Sequence, residues 1–542
     1  MDSSNTNKFI VQGTILAIAS ILVRLIGIVY RIPMVRIIGS EGSGIYGQAF
    51  NIYNVALILS SYSLPLAVSK LIAARNVKKE YRNSFRILVA ALFFAVVVGV
   101  VFSCILFFGA EFIALKFYKD EGIIYPLKVL APTIFVFAIM GVLRGFFQGK
   151  NTMLPTAFSQ IIEQVVNAIV SITAAYLFMQ AHDASANIAA YGAAGGTLGT
   201  LLGALTGLIF LTVVFGLYYP SFNKRVQRDR YGTKESYGEI YKLLAITIIP
   251  IILSQTVYQL NGFLDDIIFK QTLSAKGITN KVMNDWIGSY SSKYKLLTNV
   301  PIAISSALAS AMIPSIVASR TIGAEDEVKS KIQSAIKFNM IIAIPSAIGM
   351  SVLSAPIMQM FFAGSSAMEN SLLLYGGIAI IFYALSTITN SVLQAVNLMR
   401  LPVINAGVAL VIHLVMVFAM LKFTDLGIYA LIIGNVTFPI FICFFNWYQI
   451  RKHVGFRQEV VKTFSIPIFS SAIMGLVVYF VYRGLYIILK RNTICVLAAI
   501  LVGVVVYFIC MILFKAIDVD ELNRIPKGRK IVKLFYKFHI IR

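Results

Sequence analysis

A chain of 542 residues that is 58% hydrophobic and only 13% charged, with a mean hydropathy of +0.82, is too apolar for a soluble globular protein. The composition therefore implies an integral membrane protein and leaves no length for a separate soluble domain. The formal net charge of +24 has to be interpreted from where the basic residues lie along the chain.

Apolar runs long enough to cross a hydrocarbon core of about 30 Å as helix recur from end to end. They predict about fourteen spans, near residues 10–34, 45–72, 84–110, 123–147, 155–180, 188–219, 240–268, 284–318, 333–361, 370–397, 402–423, 426–449, 463–489 and 493–516. Strand-type alternation is absent, so an all-α protein is expected and a barrel is not. The opening "MDSSNTNK" has neither a basic n-region nor a small-residue cleavage site, so the first run is expected to stay as a helix.

Between the spans, the basic residues fall in alternate connections: "RNVKKEYRNSFR" (75–86), "NKRVQRDRYGTK" (223–234), "RKHVGFRQ" (451–458) and the tail "RIPKGRKIVKLFYKF" (524–538). Lys and Arg favour the cytoplasmic side, which predicts a cell-membrane protein with both termini inside. The opposite connections, "AHDASAN" (181–187) and "FFAGSSAMEN" (361–370), are nearly uncharged, and "LKRN" (489–492) departs from the pattern. This distribution suits anionic inner-leaflet lipid rather than nucleic acid.

Cys104, Cys443, Cys495 and Cys510 lie far apart inside apolar runs, and His182, His413, His453 and His539 show no ligand spacing. "GSEGSGIYG" (39–47) lacks the Lys-Ser/Thr of a phosphate-binding loop. No metal, cofactor, nucleotide hydrolysis or catalytic residue is expected.

Two parts of the chain echo each other. "YSLPLAVSKLIAA" (62–74) resembles "TNVPIAISSALAS" (298–310), and "VLRGFFQGKNTMLP" (142–155) resembles "SVLQAVNLMRLP" (391–402), an offset of roughly 240 residues that pairs Gln148 with Gln394 and Pro155 with Pro402. Six spans per repeat give two parallel, pseudo-symmetric six-helix lobes around a central cavity, 1–222 and 223–458. Spans 13 and 14 (459–518) and a basic cytoplasmic tail (519–542) follow. Pro65, Pro301 and Pro345 are expected inside helices, either as packing features or as bends that let a lobe gate.

Polar residues inside the apolar runs are the candidate functional residues. Arg24 and Arg31 are two helical turns apart and share a face. Arg24 lies ~20 Å along its span, where an arginine costs at least about 2.5–3.5 kcal/mol. It should face water, an anion or an ion-pair partner, whereas Arg31 and Arg36 could instead snorkel to an interface. Span 5 carries Gln160, Glu163, Gln164 and Asn167 on one face, span 7 has Gln255, Gln259, Asp265 and Asp266, and span 10 has Asn390, Gln394 and Asn397. Such stripes serve interhelical hydrogen bonding as readily as ligand binding. Within the spans Arg24, Arg31, Lys70, Arg144, Lys293 and Lys295 outnumber Glu163, Asp265 and Asp266. A cavity rich in guanidinium suits a phosphate.

The runs "LRGFFQGKNTMLPTAFSQIIEQVVN" (143–167), "VRLIGIVYRIPMVRIIGSEGSGIYG" (23–47) and "YGAAGGTLGTLLGALTGL" (191–208) resemble MurJ-type lipid II flippases, in the Gram-positive branch that includes YtgP and SpoVB proteins. The resemblance covers essentially the whole chain. It implies the multidrug/oligosaccharidyl-lipid/polysaccharide exporter fold, fourteen helices and alternating access. It also implies a substrate, undecaprenyl-diphosphate carrying the peptidoglycan disaccharide-pentapeptide, hence a role in peptidoglycan synthesis and cell shape, with cell-wall synthesis proteins as partners. Arg24 and Arg31 match first-span cations that engage the diphosphate in that family, Lys293 or Lys295 a cation of span 8, and Lys70 stands at best for a span 2 arginine. Spans 13 and 14 resemble helices that form a lipid-tail groove. Under this reading no bond is broken. Glu163, Asp265 or Asp266 could carry a coupling ion, or the two aspartates could pair with neighbours such as Lys270.

Other readings stay open. A flippase of the same fold could move a polysaccharide unit or a spore-wall precursor. Cation-coupled drug efflux would want a carboxylate in the first span, which has none. A prenyl-transfer enzyme would want a second Asp-rich motif, which is absent. A purely structural scaffold would not need a buried arginine.

Overall fold

A computed structural model of the chain describes residues 3–229 and 234–516. The basic tail 519–542 and part of the 223–234 connection lie outside these residues, as does the side chain of Gln255. The described residues form helices and short connections without a β-strand. This is an all-α, multi-pass integral membrane protein.

The helices are α1 (Ser3–Ser60), α2 (Leu64–Val77), α3 (Tyr81–Ile113), α4 (Ile124–Gly149), α5 (Leu154–Ala181), α6 (Ile188–Arg228), α7 (Tyr237–Ala275), α8 (Asn280–Gly288), α9 (Lys295–Thr321), α10 (Glu325–Val352), α11 (Ser354–Phe361), α12 (Ala367–Gly376), α13 (Ala379–Ala395), α14 (Arg400–Phe423), α15 (Ile428–Val454), α16 (Ile466–Leu489) and α17 (Asn492–Leu513). Among the described residues nine helices are long and apolar enough to cross a membrane, ten if α12 and α13, bent by 41°, form one span. The other four predicted spans fall on α1, α2, α7 and α8–α9. These are the helices that carry Arg24, Arg31, Lys70, Asp265, Asp266 and Lys295, with Lys293 in the π-helical turn Ser289–Tyr294 between α8 and α9.

Three local expectations are corrected. The spans expected at 10–34 and 45–72 are not separated by a connection: helix runs through 35–44 with a single break at Gly39 (φ 68°, ψ −178°). Glycine takes that left-handed φ without the penalty a Cβ would bring. Pro65 does not interrupt a helix, because it occupies the first turn of α2, where an amide hydrogen would be unbonded anyway. Asn397 is not on the polar face of span 10. It lies beyond the end of α13 with a positive φ of 66°.

Packing divides the chain into two compact units, Met1–Ser292 and Lys293–Arg542. In the first, α7 and α8 pack with α1–α6. Gly44 permits α8 to approach α1 at backbone distance, since a Cβ there would lie 2.0 Å from the Asn284 carbonyl oxygen. The seam between α5 and α6 is tighter still. Gly195, Gly199 and Gly203, one turn apart, lie against Ala174, Asn167 with Ser171, and Glu163, and a Cβ at any of them would come within 2.1–2.6 Å of α5 atoms. Small residues at this spacing let two backbones meet, and the seam fixes where the polar residues of α5 point. In the second unit, a core of Ile332, Ile336, Ile344, Ile380, Ile388 and Val392 joins α10 to α13.

Candidate functional site

In the first unit, the face of α1 that carries Arg24 and Arg31 borders the polar stripe of α5. Gly27, between the two arginines, is close enough to α5 that a Cβ would stand 3.2 Å from Gln164 Nε2. Asn167 Nδ2 reaches the Tyr30 hydroxyl at 3.5 Å. The Arg31 guanidinium lies beside the hydroxyls of Tyr30 and Tyr46, while its Nε is buried without a hydrogen-bond partner among the described residues. Arg24 is exposed. From α4, Arg144 donates to Glu163 Oε2 at 2.7 Å and through Nε to Ser159 Oγ at 3.0 Å. Five of the singled-out residues, Arg24, Arg31, Arg144, Glu163 and Asn167, are thus gathered on α1, α4 and α5. Lys70 is exposed on α2.

Asp265 and Asp266 of α7 are both buried, and Asp266 accepts from Asn51 Nδ2 at 2.7 Å. The salt bridge of Lys270 goes to Asp120, a residue missed in the sequence, at 2.7 Å. Asp120 also accepts from Asn284 Nδ2 at 2.7 Å and from the Gly122 amide at 3.0 Å, and Gln48 donates to Asn284 Oδ1 at 2.9 Å. The network fastens the connection between α3 and α4 to α7, α8 and α1.

In the second unit, Lys293 ends up beside Glu369, with which it forms a close salt bridge, and its ammonium lies 5.8 Å from the centre of the Phe362 ring. The segment 361–370 is therefore not electrostatically idle. Glu369 also caps α12 by accepting from the Ser366 amide. Lys295 opens α9 and is half-buried. The stripe of span 10 proves structural at Asn390, which accepts from Asn446 Nδ2 at 2.8 Å. Between α10, α16 and α17 an apolar groove of about 350 Å³ is lined by Ile341, Pro345, Gly349, Met474, Val504 and Phe508. Tyr507 turns its hydroxyl away to the Ile341 carbonyl oxygen at 3.0 Å. Among the described residues no three His, Cys, Asp or Glu side chains come together as metal ligands.

A family profile described as "Polysaccharide biosynthesis protein" matches residues 10–320, more than half of the chain and all of the helices that build this polar face. The chain belongs to that family. Among similar proteins of Bacillus subtilis (strain 168), one named Lipid II flippase MurJ is 27% identical over 86% of this chain and 88% of its own length. Stage V sporulation protein B is 25% identical over 96% of this chain and 99% of its own. Among solved structures, lipid II flippase MurJ in an inward closed conformation superimposes with a TM-score of 0.65 at 15% identity, covering 92% of this chain and 98% of that one. An inward-facing multidrug resistance MATE family transporter of the MOP superfamily gives 0.63 at 16%, covering 80% and 98%. At those identities the structural likeness establishes a shared fold. Within the polysaccharide biosynthesis family, then, this chain sets a cationic face of α1 against a polar face of α5.

Proposed function

We propose that the protein is a flippase for a polyprenyl-diphosphate-linked glycan, lipid II in the first place, moved from the inner to the outer leaflet by alternating access between lobes 1–222 and 223–458. Arg24 and Arg31 on one face of α1, beside the α5 stripe, are the observation that carries this reading. The name of a Bacillus relative supports the peptidoglycan precursor as that glycan. The planar guanidinium fork of each arginine matches phosphate oxygens in a bidentate manner. Arg144, with Glu163 as the partner it would trade for a diphosphate, extends the cationic face, and Lys70, Lys293 and Lys295 are secondary contacts. The groove between α10, α16 and α17 offers a polyprenyl tail an apolar path. No bond is made or broken, so the protein is not an enzyme. With both termini cytoplasmic, an inside-negative potential favours outward movement of an anion by about 2.3 kcal/mol per charge per 100 mV. Asp265, Asp266 and Glu163 are the carboxylates available to a coupling cation.

A second reading, export of another polyprenyl-diphosphate glycan such as a spore-wall precursor, draws on the near full-length similarity to stage V sporulation protein B. The experiment that separates them measures lipid II at the outer surface of cells depleted of their own flippase. Those cells carry the wild type, Arg24→Ala or Arg31→Ala, with membrane insertion followed by immunoblot. Restoration by the wild type and failure of both variants supports the diphosphate site. Failure of the inserted wild type turns the assignment to another glycan.

A further inference from the structure

Where α2, α4 and α6 end on the strongly basic side, a cavity of about 320 Å³ opens between Asn76, Tyr81, Lys150, Asn151 and Arg225. No carboxylate lines it. The acids near it in sequence do not line it: Glu80 accepts from Asn83 Nδ2 at 3.3 Å, Asp229 accepts from the Arg82 amide at 2.9 Å, and Glu235 pairs with Arg75 at 2.8 Å. Lys150, just past the end of α4, is held firmly. It donates to Asn76 Oδ1 at 2.8 Å, and its ammonium lies 4.2 Å from the ring centre of Phe222, 5.1 Å from Tyr81 and 5.6 Å from Phe146. The aromatic cage positions the charge without neutralising it. Asn76 is itself oriented by donating to the Gly149 carbonyl oxygen at 2.9 Å. Burial and then the Arg225 guanidinium pull the Lys150 amine down to about 8, so the cavity holds two cations that repel each other. Arg225 is exposed and lines the cavity mouth.

We propose that this cavity is a binding site for a phosphate group, with Lys150 as its fixed cation and Arg225 as the arm that closes on the anion. An ammonium with two unspent N–H bonds and a guanidinium supply complementary point-charge and bidentate contacts to phosphate oxygens. The ring of Tyr81, Phe146 and Phe222 at helix ends is the setting of a membrane–water interface. The phosphate can therefore come from an anionic phospholipid or from a soluble phosphate ester. The site stands apart from the α1–α5 face and does not depend on what is transported.

The test reads Lys150 directly. The full chain is placed in phosphatidylcholine nanodiscs alone, with inorganic phosphate, or with phosphatidylglycerol in the bilayer. It is acylated briefly at pH 8, and labelling at Lys150 is quantified by mass spectrometry against exposed Lys452 as the internal control. A several-fold fall at Lys150 relative to Lys452 is expected when the anion is present, because the bound phosphate shields the amine and favours its unreactive ammonium form. Protection by phosphatidylglycerol alone identifies a lipid headgroup, and equal protection by inorganic phosphate identifies a soluble source. Arg225→Gln, a change at an exposed side chain, should keep the fold and abolish the protection. Parallel changes at Lys150 and Lys452 in every arm, or undiminished protection in Arg225→Gln, would overturn the proposal.

Discussion

Two ion pairs of the first unit have the same length and different surroundings. Arg144–Glu163 and Lys270–Asp120 both measure 2.7 Å, but the side chains of the first are 11% and 18% exposed and those of the second 0% and 8%. Asp120 is also bonded to Asn284 and the Gly122 amide, with Gln48 behind them, whereas Glu163 is reached by Arg144 from one side and neighbours the stripe of α5. A fully bonded pair resists exchange, because removing either member strands a charge in low dielectric. A partly open pair beside other polar groups can swap its anion for another. Distance alone would have ranked them equal, and it is the second layer of contacts that separates a fastening from a site.

That contrast can be broken by experiment. The largest effect is expected for Lys270→Ala, which leaves Asp120 uncompensated and should cost about 3–5 kcal/mol in stability, read as a lowered unfolding midpoint of the purified protein. A loss as small as that of a surface ion pair would remove the distinction. Next comes Gly199→Val, whose side chain would be driven into Ser171 and the Asn167 carbonyl. Overpacking of that kind costs about 1–3 kcal/mol and should also displace Glu163, visible as reduced lipid II exposure in the depleted cells. Arg144→Gln should lower stability less than Lys270→Ala, because its pair is the more open of the two, and reduce lipid II exposure out of proportion. Proportionate losses would make Arg144 a fastening like Lys270. Tyr507→Phe removes one hydrogen bond at the rim of the apolar groove and should cost about 1 kcal/mol.

The smallest effect is a pH dependence. Lys150 is held at about 8 against an ordinary 10.5, so between those values the unfolded chain binds more protons and stability rises with pH. Lys150→Met should flatten unfolding midpoints recorded over that window.

Much of the fold was legible because a membrane leaves few options. Apolar runs at span length gave the helices α3 to α6, α10 and α14 to α17, since hydropathy is the property that selects them, but the run 333–361 passes over the separate short helix α11 and the run 370–397 joins α12 to α13. The breaks were less legible. Gly39 is one glycine among several in "GSEGSGIYG", and nothing local says which one takes the left-handed conformation. The Arg144–Glu163 pairing was half visible, as two charges of opposite sign in neighbouring spans, but not as a contact. Asp120 and Glu369 were passed over because they lie in connections rather than in apolar runs, where a charge raises no question. Their partners, Lys270 and Lys293, sit 150 and 76 residues away. Only tertiary packing shows that both carboxylates are buried, and the surplus of positive charge within the spans is correspondingly smaller than a count of span residues suggests.

The glycine seam between α5 and α6 has a mechanical consequence. With carbonyl oxygens of one helix lying where methyl groups of the other would stand, no compressible layer of side chains separates them, and sliding would have to climb over the backbone itself. The two helices must travel as a single beam, carrying Glu163 and Asn167 with them. Any change in the distance between those residues and Arg24 then has to be taken up by α1, which carries Pro33 within its helix and, among its described residues, one non-helical backbone position at Gly39.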